Sequence, residues 1–313
     1  MGRYVLARIG SSVLVFFALT LFVFVCFFAL PRNTFGRQQR VPEQFRIHGS
    51  LASAYTNYLW RFVRHGDLGY SYQDREAVTA RLVRATPVTV SLVVGGLVVW
   101  FLISVPLGML SALRPRSLPD RASTVFVLAG LSAHPLWLGL VLSWFFGRYL
   151  HVLPASGYCS MNNLSTGCDG LGRWAVHLLL PWFTFGIVNA ALFSTMIRAL
   201  LIEELHAEYV TTALAKGVAL RRIVRRHVLR NVTIPLVTMA GITAGTALGV
   251  VVFVEAAFDL PGIGGMLRQA IVRRDVPMTA GSVLFLALAV MLLNLVVDAL
   301  YAFVDPRIRA ANY

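Results

Sequence analysis

The chain has 313 residues, of which 57% are hydrophobic and only 13% charged, with a mean hydropathy of +0.70. A soluble domain usually carries about 25% charged residues, so there are too few ionisable groups here to clothe a water-facing surface. The formal net charge is +14, and Lys216 is the only lysine among 28 basic side chains. Because those charges sit between apolar runs, anionic headgroups and the positive-inside bias account for much of the basicity. Zinc-finger spacing, a helix-turn-helix and an aromatic base-stacking sheet are all missing, which argues against a nucleic-acid partner.

Uncharged runs of about 20 residues are long enough to cross a hydrocarbon core roughly 30 Å thick. Six runs qualify: 9–31, 85–113, 122–147, 174–197, 232–254 and 276–297. They are too long for barrel strands and lack alternation of polar and apolar residues, so an all-α polytopic membrane protein with six transmembrane helices is expected. Arg3 and Arg8 precede the first run, but no small-x-small cleavage pattern follows it, and it reads as a retained anchor. The expected organisation is 1–31 as tail and first span, 32–84 as an external segment, 85–304 as a five-helix core with a cytoplasmic loop at 198–231, and 305–313 as a cytoplasmic tail.

Orientation rests on the short link RPRSLPDR at 114–121 and on the basic loop 198–231, both rich in arginine. Six crossings put both on the cytoplasmic side together with the two termini. Residues 32–84 then lie outside although they carry nine arginines against four acids, and Arg81 and Arg84, next to a span, fit poorly. The stretches YTNYLWRFVRHGDLG and DREAVTARLV are expected to form short helices on the outer face. Cys26 lies in the first run as a packing residue. Cys159 and Cys168 share the loop CSMNNLSTGC, placed outside, where a disulfide can persist; two free thiols are the alternative.

Pro106, Pro135, Pro181 and Pro235 can kink their helices, and the small residues of GITAGTALG recur four apart, as in a helix-packing seam. Glu255 and Asp259, followed by Pro261 and Gly262, read either as part of an outer gate or translocation path or as interface residues paired to Arg268 or Arg273. His134 and His177 have no second ligand at metal spacing, so no metal site is expected. The chain has no GxxxxGK[ST], GxSxG or HExxH pattern, so no catalytic residues are assigned and no nucleotide is expected to bind this chain through a P-loop.

The segment 202–235, IEELHAEYVTTALAKGVALRRIVRRHVLRNVTIP, is expected to form a helix through Ala215, a stop at Gly217, and a second helical piece from about Leu220 to Leu229. The string EYVTTALAKG followed by HVLRN resembles the coupling loop of binding-protein-dependent ABC importer permeases, in the form found in the dipeptide and oligopeptide branch. GDLGYS at 66–71, LPASGY at 153–158, VEAAFDLPGIGGMLRQAIVRRDVPM at 254–278 and NLVVDALYAFVDPRIR at 294–309 are similar to further segments of that family, in family order, and point to its B-type permease. Leu260, where a tryptophan is common, and the insertion CSMNNLSTGC depart from the pattern.

The resemblance implies the type I importer permease fold and a place in the bacterial plasma (inner) membrane. It also implies that Glu203, Glu208, Tyr209, Thr212, Ala213, Ala215, Lys216 and Gly217 form a coupling helix, braced by His227, Leu229, Arg230 and Asn231. Its implied partners are a homologous C-type permease subunit, two cytoplasmic ATPase domains that bind ATP and Mg, an external peptide-binding protein and a peptide substrate. Nickel chelates, haem or glutathione are the rival cargoes. A channel, an ion-coupled transporter or a scaffold would leave the loop unexplained.

Overall fold

The computed structural model describes residues 2–29, 50–160 and 170–304. Among the described residues the chain forms eleven α-helices and no strand beyond a single antiparallel bridge between Tyr70 and Ala77. They are α1 Gly2–Phe24, α2 Leu51–His65, α3 Val78–Leu113, α4 Leu118–Ser132, α5 Pro135–Leu142, α6 Gly170–Leu205, α7 Glu208–Ala215, α8 Leu220–Ile223, α9 Leu229–Phe258, α10 Ile263–Val272 and α11 Val276–Val304. π-Helical turns extend α1 (Val25–Ala29) and α5 (Ser143–Tyr149), and another joins α8 to α9 (Val224–Val228).

Among the described residues three helices are long and apolar enough to cross a membrane: α3, α6 and the Val276–Val297 part of α11. Two bent pairs raise the number to five if each is one span. One breaks by 108° between Leu118–Ser132 and Pro135–Tyr149, and the other by 44° between Leu220–Gly241 and Thr243–Phe258. The first predicted run appears as a shorter apolar helix, Val13–Phe27, and residues 30 and 31 lie outside the described residues. Three of the six expected spans therefore have counterparts of sufficient length, and five if each bent pair is one span. The 108° break has a local cause: Ala133 and His134 are extended, and Pro135 opens α5 at a position where its missing N–H is no loss. Val90, Val94, Val98, Phe101, Leu102 and Val105 of α3 are exposed, as expected of a helix facing hydrocarbon.

The chain divides into two compact units. The first comprises residues 1–90 and 259–295. Its buried cluster includes Val23, Phe24, Tyr58, Leu82, Ile263, Met278 and Leu284. α2 is capped by Ser50, whose side chain accepts from the Ser53 N–H, and ends on Gly66 in the left-handed region at φ 61°. The second expected short helix, DREAVTARLV, is instead the opening of α3: Val78 already lies inside that helix, which runs unbroken to Leu113. Arginine chemistry around it is locally balanced. Arg84 pairs with Glu76 at 2.6 Å, while Arg81 and Arg273 both pair with Asp74. The two arginines that fit the charge bias poorly thus each have a neighbouring carboxylate.

Buried Asp275 ties the turn before α11 to residues 71–73. Its carboxylate accepts from the Ser71 hydroxyl, from the backbone N–H groups of Tyr72 and Gln73 at 3.4 Å each, and from the Met278 N–H at 3.3 Å. Desolvation, then the Asp275 charge, pushes the Tyr72 phenol up to about 12.

The second unit comprises residues 91–258 and 296–313. Here α6 is the central helix, packed against α4, α5 and α9. Glycines allow the close approach: a Cβ on Gly186 would lie 2.6 Å from Val99 Cγ1, and one on Gly130 would lie 2.6 Å from Ala191 Cβ. In GITAGTALG, Gly241 is closed against Val297 whereas Gly249 faces open space, so that motif is a seam at one end only. Trp100, Phe185 and Phe193 fill the centre, with the Trp100 and Phe193 rings edge to face at 5.3 Å.

Candidate coupling elbow

The richest local architecture lies between α6 and α9. The expected helix through Ala215 is divided, because α6 stops at Leu205 and α7 starts at Glu208. The His206 and Ala207 N–H groups donate to the Glu203 and Glu204 carbonyls at 3.2 Å each, closing a tight turn, and Ala207 is extended. Glu208 then occupies the first turn of α7, where a carboxylate complements the helix dipole. Thr211 and Thr212 return their hydroxyls to the Glu208 carbonyl at 2.8 and 2.9 Å.

α7 ends as its sequence demands. Gly217 has φ 78°, its N–H donates to the Leu214 carbonyl at 2.9 Å, and the Val218 N–H donates to the Ala213 carbonyl at 3.1 Å. That pair of bonds is the Schellman arrangement, which needs a left-handed residue after the cap. Lys216 is the cap, and α8 starts four residues later at Leu220. The expected second piece from Leu220 to Leu229 is shorter as an α-helix: it covers Leu220–Ile223, then a π-helical turn feeds directly into α9.

One carboxylate braces the elbow. Glu204 Oε1 accepts from the Tyr209 hydroxyl at 2.8 Å and from Asn231 Nδ2 at 2.7 Å, joining the ends of α6, α7 and α9. Burial, then the Glu204 contact, pushes the Tyr209 phenol up to about 12. Underneath, Val210, Ile223, Val224, Val228 and Val232 are buried, which anchors the elbow on apolar contacts as well. The outward face is open: Glu208, Tyr209, Thr211, Thr212, Leu214, Ala215, Lys216 and Gly217 are exposed. Ala213 is half-buried, and Glu203, His227 and Arg230 are exposed beside this face.

Of the residues assigned by resemblance to the coupling helix, those from Glu208 to Gly217 thus share one short, capped element. Glu203 lies on α6 before it, and Asn231 supplies the brace from α9. Glu204 was not singled out by sequence reasoning. The doublet Glu203-Glu204 gives no cue as to which carboxylate turns inward, because that depends on the break at His206.

The second set does not form one cluster within a unit. Glu255, on α9, is fully buried in the second unit. Asp259 belongs to the first unit, has φ 50°, and pairs with Arg268 at 2.6 Å on an exposed surface. This is the paired-interface arrangement named for it. Pro261 is exposed, and buried Gly262 is the extended cap of α10. Cys159 is buried, and Cys168 lies outside the described residues.

Residues 104–310 match the family described as binding-protein-dependent transport system inner membrane component. The chain belongs to that family. It is 31% identical to the dipeptide transport system permease protein DppB of Escherichia coli (strain K12), with 99% of each chain covered. It is equally 31% identical to the di/tripeptide transport system permease protein DppB of Pseudomonas aeruginosa (strain UCBPP-PA14), again over 99% of each. A putative peptide permease protein of Brucella ovis is 32% identical over 99% of each chain. Among solved structures, a chain of the MetNI methionine ABC transporter in an inward-facing conformation matches with a TM-score of 0.56 at 19% identity, covering 72% of this chain and 96% of that one. That likeness establishes the permease fold. The chain is therefore a multi-pass membrane permease subunit.

Proposed function

We propose that this permease forms half of the translocation pathway of an ATP-driven importer of di- and oligopeptides, and that α7 is the element gripped by a separate ATPase. The observation that carries the reading is the elbow. Six of the eight residues of α7 are exposed, all but Val210 and Ala213, yet both its ends are fixed by short turns and by the Glu204 brace. A stiff element of this kind passes on a displacement, whereas a solvated loop would absorb it. Peptide transport by the relatives supports the cargo.

In this reading the elbow and both termini face the cytoplasm, in a bacterial inner membrane. ATP and Mg are held by two partner ATPase domains, and a homologous permease subunit completes the pathway. ATP-driven closure of the ATPases displaces α7, and α6 and α9 carry the movement into the membrane. An external binding protein supplies the peptide, so the pathway needs few charged groups of its own. The loop holding Cys159 and Cys168 lies on the opposite side of the membrane, with the two cysteines bonded. Buried Glu255, near the end of α9 away from the elbow, is read as part of the translocation path. The exposed Arg221, Arg222, Arg225, Arg226 and Arg230 lie at the level of anionic headgroups.

The test is uptake by the assembled complex in proteoliposomes, with labelled dipeptides, longer peptides, glutathione, haem and nickel chelates offered in turn. ATP-dependent accumulation of peptides is expected; accumulation of a chelate, haem or glutathione in place of peptides would replace the cargo, and no ATP dependence would overturn the reading.

A further inference from the structure

Within the second unit, about two turns of α6 before the elbow, one carboxylate is saturated by donors from three chain segments. Asp120, in the first turn of α4, has a side chain only 10% exposed. Its Oδ1 accepts from the Ser111 hydroxyl at the end of α3 and from Arg198 Nε at 2.9 Å. Its Oδ2 accepts from the Arg116 backbone N–H at 2.9 Å and from Arg198 Nη2 at 3.2 Å. Arg198 Nε also donates to Ser111 Oγ at 2.9 Å. The four acceptor positions of a carboxylate are thus all used, two of them by a single guanidinium fork.

The same carboxylate shapes the link between α3 and α4. Arg116 has φ 62°, an uncommon conformation for a residue with a Cβ, and its N–H is turned onto Asp120. On the other side, Arg198 lies seven residues before the end of α6 at Leu205, about 10 Å along the helix axis from the elbow. Gly108 of α3 and Gly130 of α4 bring those helices against Ile197 and Ala191 of α6. Packing therefore presses α3 and α4 onto α6 along their lengths, and the Asp120–Arg198 fork fastens their ends next to the elbow.

We infer that Asp120 and Arg198 are positioning residues for coupling: they form the joint through which displacement of the elbow is passed from α6 to α4. Without the fork, α6 can slide or bend locally while α4 stays behind. With it, the ends of α3, α4 and α6 move as one body, which a two-state transmission between distant sites requires. This inference rests on the reading of α7 as the ATPase contact.

The experiment uses the assembled complex in proteoliposomes, with Arg198→Lys, which keeps the charge but loses the fork, and Asp120→Asn, which turns an acceptor into a donor. The amount of complex, ATP hydrolysis with and without the peptide-loaded binding protein, and uptake are measured together. The expected result is an undiminished yield of complex, with uptake and binding-protein-stimulated hydrolysis down about tenfold relative to hydrolysis without the binding protein. If Asp120→Asn fails to assemble, Arg198→Lys decides. Uptake equal to that of the unaltered complex, or a loss of uptake merely in proportion to lost complex, overturns the joint. If the unaltered complex shows no ATP-dependent uptake, the transport reading falls and the joint with it.

Discussion

Gly217 and Glu204 carry the elbow by different means. At Gly217 the chain must turn left-handed to close the two bonds that end α7, and a β-branched side chain there meets steric cost of roughly 1–2 kcal/mol. Gly217→Val is expected to leave membrane insertion intact and abolish ATP-driven uptake, which fractionation and proteoliposome uptake would check; undiminished uptake would speak against the assigned role. Glu204→Gln keeps the shape but turns a charged acceptor into a neutral one, weakening two bonds each worth on the order of 1.5–3 kcal/mol. The expected outcome is faster amide hydrogen exchange at residues 208–216, followed by mass spectrometry, with exchange in α3 unchanged.

The Tyr209 phenol is raised to about 12, above its ordinary value. A group with a raised folded pKa contributes fully below its unfolded pKa of about 10 and loses that contribution only as pH rises through the folded one. The Tyr209 hydroxyl accordingly keeps its proton between about pH 6 and 9, and Tyr209→Phe is expected to shift uptake by the same factor across that range.

At the level of elements, the helices were legible because an apolar run of 20 residues leaves the backbone one way to satisfy itself in lipid. α3, α6 and α11 all cover their predicted runs. Their ends were not legible. α3 begins seven residues earlier than its uncharged run, at Val78, because Arg81 and Arg84 find carboxylates at Asp74 and Glu76 and so need not end the helix. The break at His206 and Ala207 was hidden because no proline or glycine marks it; the bonds back to Glu203 and Glu204 make it. Gly217, by contrast, announced its own role, since the left-handed turn it makes is one that other residues avoid.

Seams between helices were half legible. Small residues four apart suggested a packing face, but only the neighbours decide which glycines are filled. Gly186 is closed against Val99, so Gly186→Leu is expected to overpack the α3–α6 contact and cost roughly 1–3 kcal/mol. Thermal unfolding of the purified protein in detergent would read this as a lowered midpoint, whereas Gly249→Leu, with open space beside it, is expected to leave the midpoint unchanged.

For the whole molecule, hydrophobicity made the class legible, while arginine placement supports the proposed orientation and the string EYVTTALAKG the proposed ATPase contact. Asp120, Arg198 and Glu204 stayed hidden because they are ordinary charges in sequence, counted only toward topology; their partners are brought to them by folding. The central claim is that α7 meets a separate ATPase on the cytoplasmic face. The most direct measurement places a single cysteine at Thr212, by Thr212→Cys in a chain otherwise without cysteine, and treats the assembled complex with a short reagent that is thiol-reactive at one end and photoreactive at the other. The account predicts a covalent adduct with the ATPase subunit and no labelling of that cysteine by a membrane-impermeant reagent added outside intact cells. Labelling from outside, with no adduct, would contradict it.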